Sequence, residues 1–177
     1  MSKTKNILSS IEDFFEIVKQ VLIPIFYKED QLGRSLRENN KKFKIELSNS
    51  ILELAKLSDE NRLKNKDIRT KIKEVSKKSG VSIGQAQKTI NVYLKYYCIL
   101  TKKPIETIEE LDCPLDSMIM SKFKSKILNL KKVSLKKMND FNTYVAWQNR
   151  LEQAGNGLRL GVDIETYDKE RLKQFFS

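Results

Sequence analysis

A chain of 177 residues with 40% apolar and 8% aromatic side chains can bury one domain core and is too apolar for a disordered tail. The net charge of +11 suits a polyanionic partner, and the absence of histidine excludes His-based triads, general bases and His-containing metal sites. Two cysteines, Cys98 and Cys113, make neither a zinc nor an iron–sulfur site by themselves, and nothing in the sequence implies a cofactor.

The N-terminus lacks the apolar core of a signal peptide. The longest apolar run, Val21 to Phe26, is too short to span a bilayer. These features predict a cytoplasmic protein with reduced thiols and no membrane partner.

Six glycines and three prolines are few, as helical proteins prefer. The periodicity predicts an all-α single domain over residues 1–177, with about six or seven helices. Ser9-x-x-Glu12 is a capping box before a stripe of Ile11, Phe14, Phe15, Val18, Val21 and Leu22, which Pro24 ends. Phe43, Leu47, Ile51 and Leu54 mark a second helix. Ile68, Ile72 and Val75 mark a third, with Gly80 as its left-handed C-cap. Ser82-x-x-Gln85 opens a fourth, with an apolar face of Ile83, Ala86, Ile90, Tyr93, Leu94 and Tyr97. Gly84, Lys88, Asn91 and Lys95 share another face of that helix.

Residues 101–113 read as a loop. A fifth helix is predicted from about Leu115 to Leu130, with Leu115, Ile119, Phe123, Ile127 and Leu130 inward. A sixth starts near Asn139 or Asp140 and stops at Gly155-Asn156-Gly157. A last short helix carries Tyr167, Leu172, Phe175 and Phe176.

The charge is uneven. Residues 61–137 hold 19 basic and 7 acidic side chains, and this segment accounts for the whole excess. Seven lysines and no acid lie between Ser117 and Asn139. Such a field attracts a polyanion through phosphate contacts and counterion release, so duplex DNA is the expected partner.

The turn between helices three and four admits three readings. One is a plain αα-hairpin, and the protein is then a helical interaction module. A second is a helix-turn-helix regulator, with Gln85, Gln87, Lys88 and Asn91 offered to base edges. The third is a central helix-hairpin-helix followed by a lysine and an aspartate.

Lys88-Thr89-Ile90-Asn91-Val92-Tyr93-Leu94 resembles the catalytic-lysine helix of the helix-hairpin-helix base-excision DNA glycosylases, which include the 8-oxoguanine glycosylases. Pro114-Leu115-Asp116-Ser117-Met118-Ile119 resembles the segment that carries their catalytic aspartate. The resemblance implies a DNA glycosylase with AP lyase activity that excises a damaged or modified base in DNA repair. Lys88 and Asp116 would be its catalytic residues. Gly80, Ser82, Gly84, Gln85, Gln87, Asn91, Lys95, Lys122 and Lys124 would lie against DNA, and Tyr93, Tyr96, Tyr97 or Trp147 would stack on a flipped base. The plain alternatives are a solvated Lys88, an Asp116 that only caps its helix, and aromatics that belong to the core.

Overall fold

The computed structural model describes residues 41–124 and 132–167. The chain divides after Asn40 into two units, and the description concerns the second. The helix expected around Ile11 and the positions Ile127, Leu130, Leu172, Phe175 and Phe176 lie outside the described residues, as does the side chain of Lys124.

Every regular element among the described residues is helical, as the composition and periodicity predict. Helix α1 spans Lys41–Asp59 and buries Phe43, Leu47, Ile51 and Leu54 along one stripe. Leu63 fills the core just after it. Helix α2 spans Asn65–Ser79, with Ile68, Ile72 and Val75 at zero exposure. Burying such a side chain contributes about 1.5–3 kcal/mol.

Gly80 ends α2 with a φ of 73°, and its N–H donates to the carbonyl of Ser76. A Cβ there would meet no atom within 4 Å, so glycine is required by backbone conformation and not by space. Ser82 then caps α3, Ile83–Leu100, by accepting the N–H of Gln85, and the Gln85 side chain accepts the N–H of Ser82. Helices α1, α2 and α3 pack on one another.

The fourth helix of the sequence is more deeply buried than its apolar stripe predicts. It packs against α1, α2, the short helix that follows it, a later helix that begins at Phe141 and a 3₁₀ turn, and 13 of its residues are buried. Its supposed polar face is therefore interior. Gly84, Asn91 and Lys95 are buried along with Ala86, Ile90 and Leu94.

The segment expected as a loop, 101–113, holds helix α4, Ile105–Glu109. Lys102 turns the chain at a φ of 51°, and the carbonyl of Pro104 accepts the N–H groups of Thr107 and Ile108. Pro104 is the N-cap of this helix, with an extended backbone at a φ of −62° and a ψ of 157°. Glu110 accepts the N–H of Asn65 at 2.8 Å and the Lys64 ammonium at 3.0 Å, tying this corner to the start of α2.

Helix α5, Ser117–Lys124, starts later than predicted, with Leu115 buried in an extended segment before it. The 3₁₀ turn Leu135–Lys137 follows. Helix α6, Phe141–Ala154, is capped by Asp140, whose carboxylate accepts the N–H groups of Asn142 and Thr143 at 3.0 Å each. The Gly155-Asn156-Gly157 turn ends it, as predicted, and leads into α7, Arg159–Tyr167. No helix of the described residues is long and apolar enough to cross a membrane.

Candidate functional site

The site is organised by one stretch of extended chain. Leu111, Asp112, Cys113, Pro114, Leu115 and Asp116 are all buried without belonging to a helix. Backbone in that position needs partners other than its own turns. Two glutamines supply them. Gln148 on α6 accepts the N–H of Cys113 at 2.9 Å and donates to its carbonyl at 2.7 Å. Gln87 on α3 accepts the N–H of Leu115 at 3.1 Å and donates to its carbonyl at 2.9 Å. Each side-chain amide stands where a neighbouring strand's backbone would. Pro114 helps, because the residue before a proline avoids the α region.

Asp112 anchors the start of the stretch. Its fully buried carboxylate meets Arg69 through two bonds at 2.9 and 3.0 Å, Arg159 at 3.1 Å, Asn65 at 2.8 Å and the hydroxyl of Tyr144 at 2.6 Å. Burial opposes the charge on Arg69, but the Asp112 carboxylate holds the guanidinium above its ordinary value. Burial and the same carboxylate push the Tyr144 hydroxyl well up.

At the other end stands Asp116. One oxygen accepts the N–H groups of Met118 and Ile119 at 2.9 Å each, which caps α5. The other meets the Lys88 ammonium at 2.9 Å. Both side chains are 12% exposed. The sequence thus named two residues 28 positions apart that the fold brings into contact.

Behind this pair lies a second one. Lys95, two turns along α3, meets Asp163 of α7 at 2.6 Å, with side chains only 4% and 2% exposed. The Cys113 thiol lies within the field of both pairs. Burial pushes it well above the ordinary thiol range, Asp163 and Asp116 push the same way, and Lys88 and Lys95 oppose them. A thiol held protonated this way is not a nucleophile at neutral pH. Among the described residues, no three His, Cys, Asp or Glu side chains gather as a metal site.

The other expected DNA contacts divide sharply. Gly80 is exposed and Gln85 is partly exposed, but Gln85 is engaged in the cap. Ser82 donates to the carbonyl of Leu135 at 2.6 Å. The N–H of Gly84 donates to the carbonyl of Met138 at 2.9 Å, and a Cβ on Gly84 would lie 2.3 Å from the Leu135 oxygen. The 3₁₀ turn therefore covers the corner that both DNA readings of the hairpin would place against a phosphate or groove. Gln87 and Asn91 have exposures of 0% and 1%, so they are not readers of base edges in this arrangement. Their bonds go to Gly84, to Leu115, to each other and to Tyr144. Lys95 is likewise taken up by Asp163. Only Lys122 of the expected lysines is described as exposed, with its ammonium 5.6 Å from the Phe123 ring centroid. Trp147, Tyr93 and Tyr96 are core residues, which leaves the partly exposed Tyr97.

Sequence reasoning missed Asp112, Gln148, Arg69, Arg159 and Asp163. One signal was present: Tyr144, Trp147, Gln148 and Leu151 share a helical stripe, and a glutamine on an apolar stripe needs buried partners.

Several lysines sit on the segments that adjoin α5 and the start of α3. Lys132 donates to Ser121 of α5 at 2.7 Å. From there the chain runs through exposed Lys136 and Lys137 to the start of α3, where Leu135 and Met138 meet Ser82 and Gly84. Lys77 and Lys78, both exposed, end α2 at the same hairpin. No family model matches the chain, and no curated protein or solved structure matches it.

Proposed function

We propose that this chain binds duplex DNA, and that Lys88 and Asp116 form the centre of a base-excising glycosylase and AP lyase reaction. The observation that carries the reading is the 2.9 Å contact between the Lys88 ammonium and the Asp116 carboxylate. It lies beside a segment, Ser117 to Asn139, with seven lysines and no acid. Those lysines are suited to phosphates, and their counterions would be released on binding.

In the proposed reaction the target nucleotide leaves the stack and its sugar C1′ meets Lys88. The ammonium passes a proton to Asp116 and gains a lone pair. That pair forms the C1′–N bond while the C1′–base bond breaks. The bonding electrons leave with the base, which takes up the proton. The second amine proton passes to O4′ as the C1′–O4′ bond breaks and the ring opens, and the nitrogen lone pair then makes a protonated imine between Lys88 and C1′. The remaining Asp116 bonds, from the N–H groups of Met118 and Ile119, keep the carboxylate aimed throughout. The hairpin plays a structural part in this reading, since the 3₁₀ turn already occupies the groups of Ser82 and Gly84.

A second reading is a DNA binder without chemistry. It is favoured by the saturation of Asp116: one oxygen caps α5 and the other holds Lys88, which together make a latch between helices. Borohydride trapping on duplexes that contain 8-oxoguanine, uracil or an abasic site separates the two. The glycosylase–lyase reading expects a covalent adduct that Lys88→Gln abolishes. Salt-sensitive binding with no adduct on any of these duplexes would leave the latch.

A further inference from the structure

Two buried polar atoms are left over by the hydrogen bonds of the core. Asn91 Oδ1 on α3 and Trp147 Nε1 on α6 have no hydrogen-bond partner among the described residues. The two residues are 1% and 0% exposed. Buried polar groups are paired in the great majority of cases, so both atoms call for a partner.

The orientation of Asn91 follows from its neighbours. Its amide nitrogen lies 3.2 Å from Gln87 Oε1 and 3.0 Å from the Tyr144 hydroxyl. Gln87 Oε1 also accepts the N–H of Leu115, so it is an acceptor. The Tyr144 hydroxyl gives its hydrogen to Asp112 at 2.6 Å. Both neighbours therefore accept from Asn91, which turns its NH2 toward them and its carbonyl oxygen away. Trp147 stands three residues beyond Tyr144 on α6, on the same face. The unpaired indole N–H is thus about one turn of α6 from the amide whose oxygen is unpaired.

We infer that Asn91 and Trp147 hold an internal water molecule between α3 and α6. The water donates to Asn91 Oδ1 and accepts the Trp147 N–H. Chemistry selects it: a cation is repelled by the indole N–H and an anion by the carboxamide oxygen, whereas water serves both. Size selects it as well. Gln87 and Tyr144, which flank Asn91, are fully buried, and packed interiors leave few voids larger than a water. Buried waters take up polar groups that the protein leaves unpaired. This one joins the chain Asp112–Tyr144–Asn91–Gln87–Leu115, which ties both ends of the extended segment to α6 and α3. The site serves the fold whether or not the chain binds DNA.

Trp147 is the sole tryptophan, so its indole N–H gives one isolated NMR resonance in the isotope-labelled full chain. That hydrogen should show a cross-peak to water in NOESY and ROESY spectra. In the ROESY the peak should be opposite in sign to the diagonal, which separates a bound water from proton exchange. A crystal structure of the full chain excludes relay through the Tyr144 hydroxyl: it should show solvent density within hydrogen-bond distance of both Asn91 Oδ1 and Trp147 Nε1. Asn91→Leu should lose the water cross-peak while the indole resonance remains. If that variant does not fold, the two wild-type measurements still decide. A Trp147 N–H that bonds Asn91 Oδ1 directly, or one with no water signal, would overturn the site. So would a water cross-peak that survives in Asn91→Leu.

Discussion

Gln87 and Leu115 are joined by two hydrogen bonds between a side-chain amide and a backbone, at 2.9 and 3.1 Å. Gln148 repeats the arrangement on Cys113, at 2.7 and 2.9 Å. Replacing either glutamine with leucine keeps the volume but strands a buried N–H and a buried carbonyl. An unsatisfied buried group costs about 1–3 kcal/mol, so each variant should lose about 3 kcal/mol. Urea unfolding should show a lower midpoint at an unchanged slope. A loss under about 0.5 kcal/mol in both variants, the range of an ordinary surface substitution, would mean that the extended segment holds itself.

The two hairpin glycines are needed for different reasons, and alanine should separate them. At Gly80 the φ of 73° is the obstacle, which costs about 1–2 kcal/mol for a residue with a Cβ. Asparagine tolerates that region, so Gly80→Asn should recover part of the loss. At Gly84 the obstacle is steric: a Cβ would lie 2.3 Å from a backbone oxygen of Leu135. Gly84→Ala should therefore destabilise the protein more than Gly80→Ala, and should raise amide exchange at Met138 and in the 3₁₀ turn. Equal losses in thermal unfolding would contradict this assignment.

Local signals made this hairpin legible. Gly80 as a left-handed cap and Ser82-x-x-Gln85 as a capping box are short-range devices, and both stand as predicted. The stripes of α1 and α2 were legible for the same reason. The surroundings of α3 were not. A periodic reading assigns one buried face per helix, but α3 is enclosed by several neighbours, so its polar residues had to find distant partners. Asn91 finds Tyr144, 53 positions on, and Lys95 finds Asp163, 68 positions on. Nothing within α3 announces those pairings. Lys88 and Asp116 were paired only because their local motifs resemble those of the glycosylases. The extended start of the Asp116 segment was missed because its regularity comes from glutamine side chains on two other helices.

Alkaline pH should unfold this protein early. Burial raises the Cys113 and Cys98 thiols and the hydroxyls of Tyr93, Tyr97 and Tyr144 above their ordinary values. Groups raised in the folded state keep their protons while the unfolded chain loses them. The stability they contribute is whole below their unfolded values, near 8.5 for cysteine and 10 for tyrosine, and falls as pH rises beyond them. Denaturant midpoints should therefore be flat from pH 7 to about 8 and decline steeply from about 9 to 11. Cys113→Ala should flatten the first part of that decline. A midpoint that rises over this range would have the wrong sign for buried thiols and phenols.

The two lysine–aspartate pairs of α3 should respond differently to removal. Lys95 and Asp163 are 4% and 2% exposed, so Asp163→Asn leaves an ammonium in the core, and breaking such a pair costs about 3–5 kcal/mol. Replacing both partners, Lys95→Met with Asp163→Leu, removes the desolvation penalty as well as the attraction, and most of the loss should be recovered. For Lys88 and Asp116 the pair is nearer water, and Asp116 has a second task at the start of α5. Asp116→Asn retains an oxygen for the Met118 and Ile119 N–H groups, whereas Asp116→Ala gives up a cap worth about 1 kcal/mol. Alanine should thus be worse than asparagine at Asp116. Lys88→Met should be the mildest single change of the set, because it leaves the cap in place. Chemical denaturation of these variants gives the ranking directly. If Lys88→Met proves as damaging as Asp163→Asn, the front pair is as much a part of the core as the rear one, and it is not poised at a surface to meet a substrate.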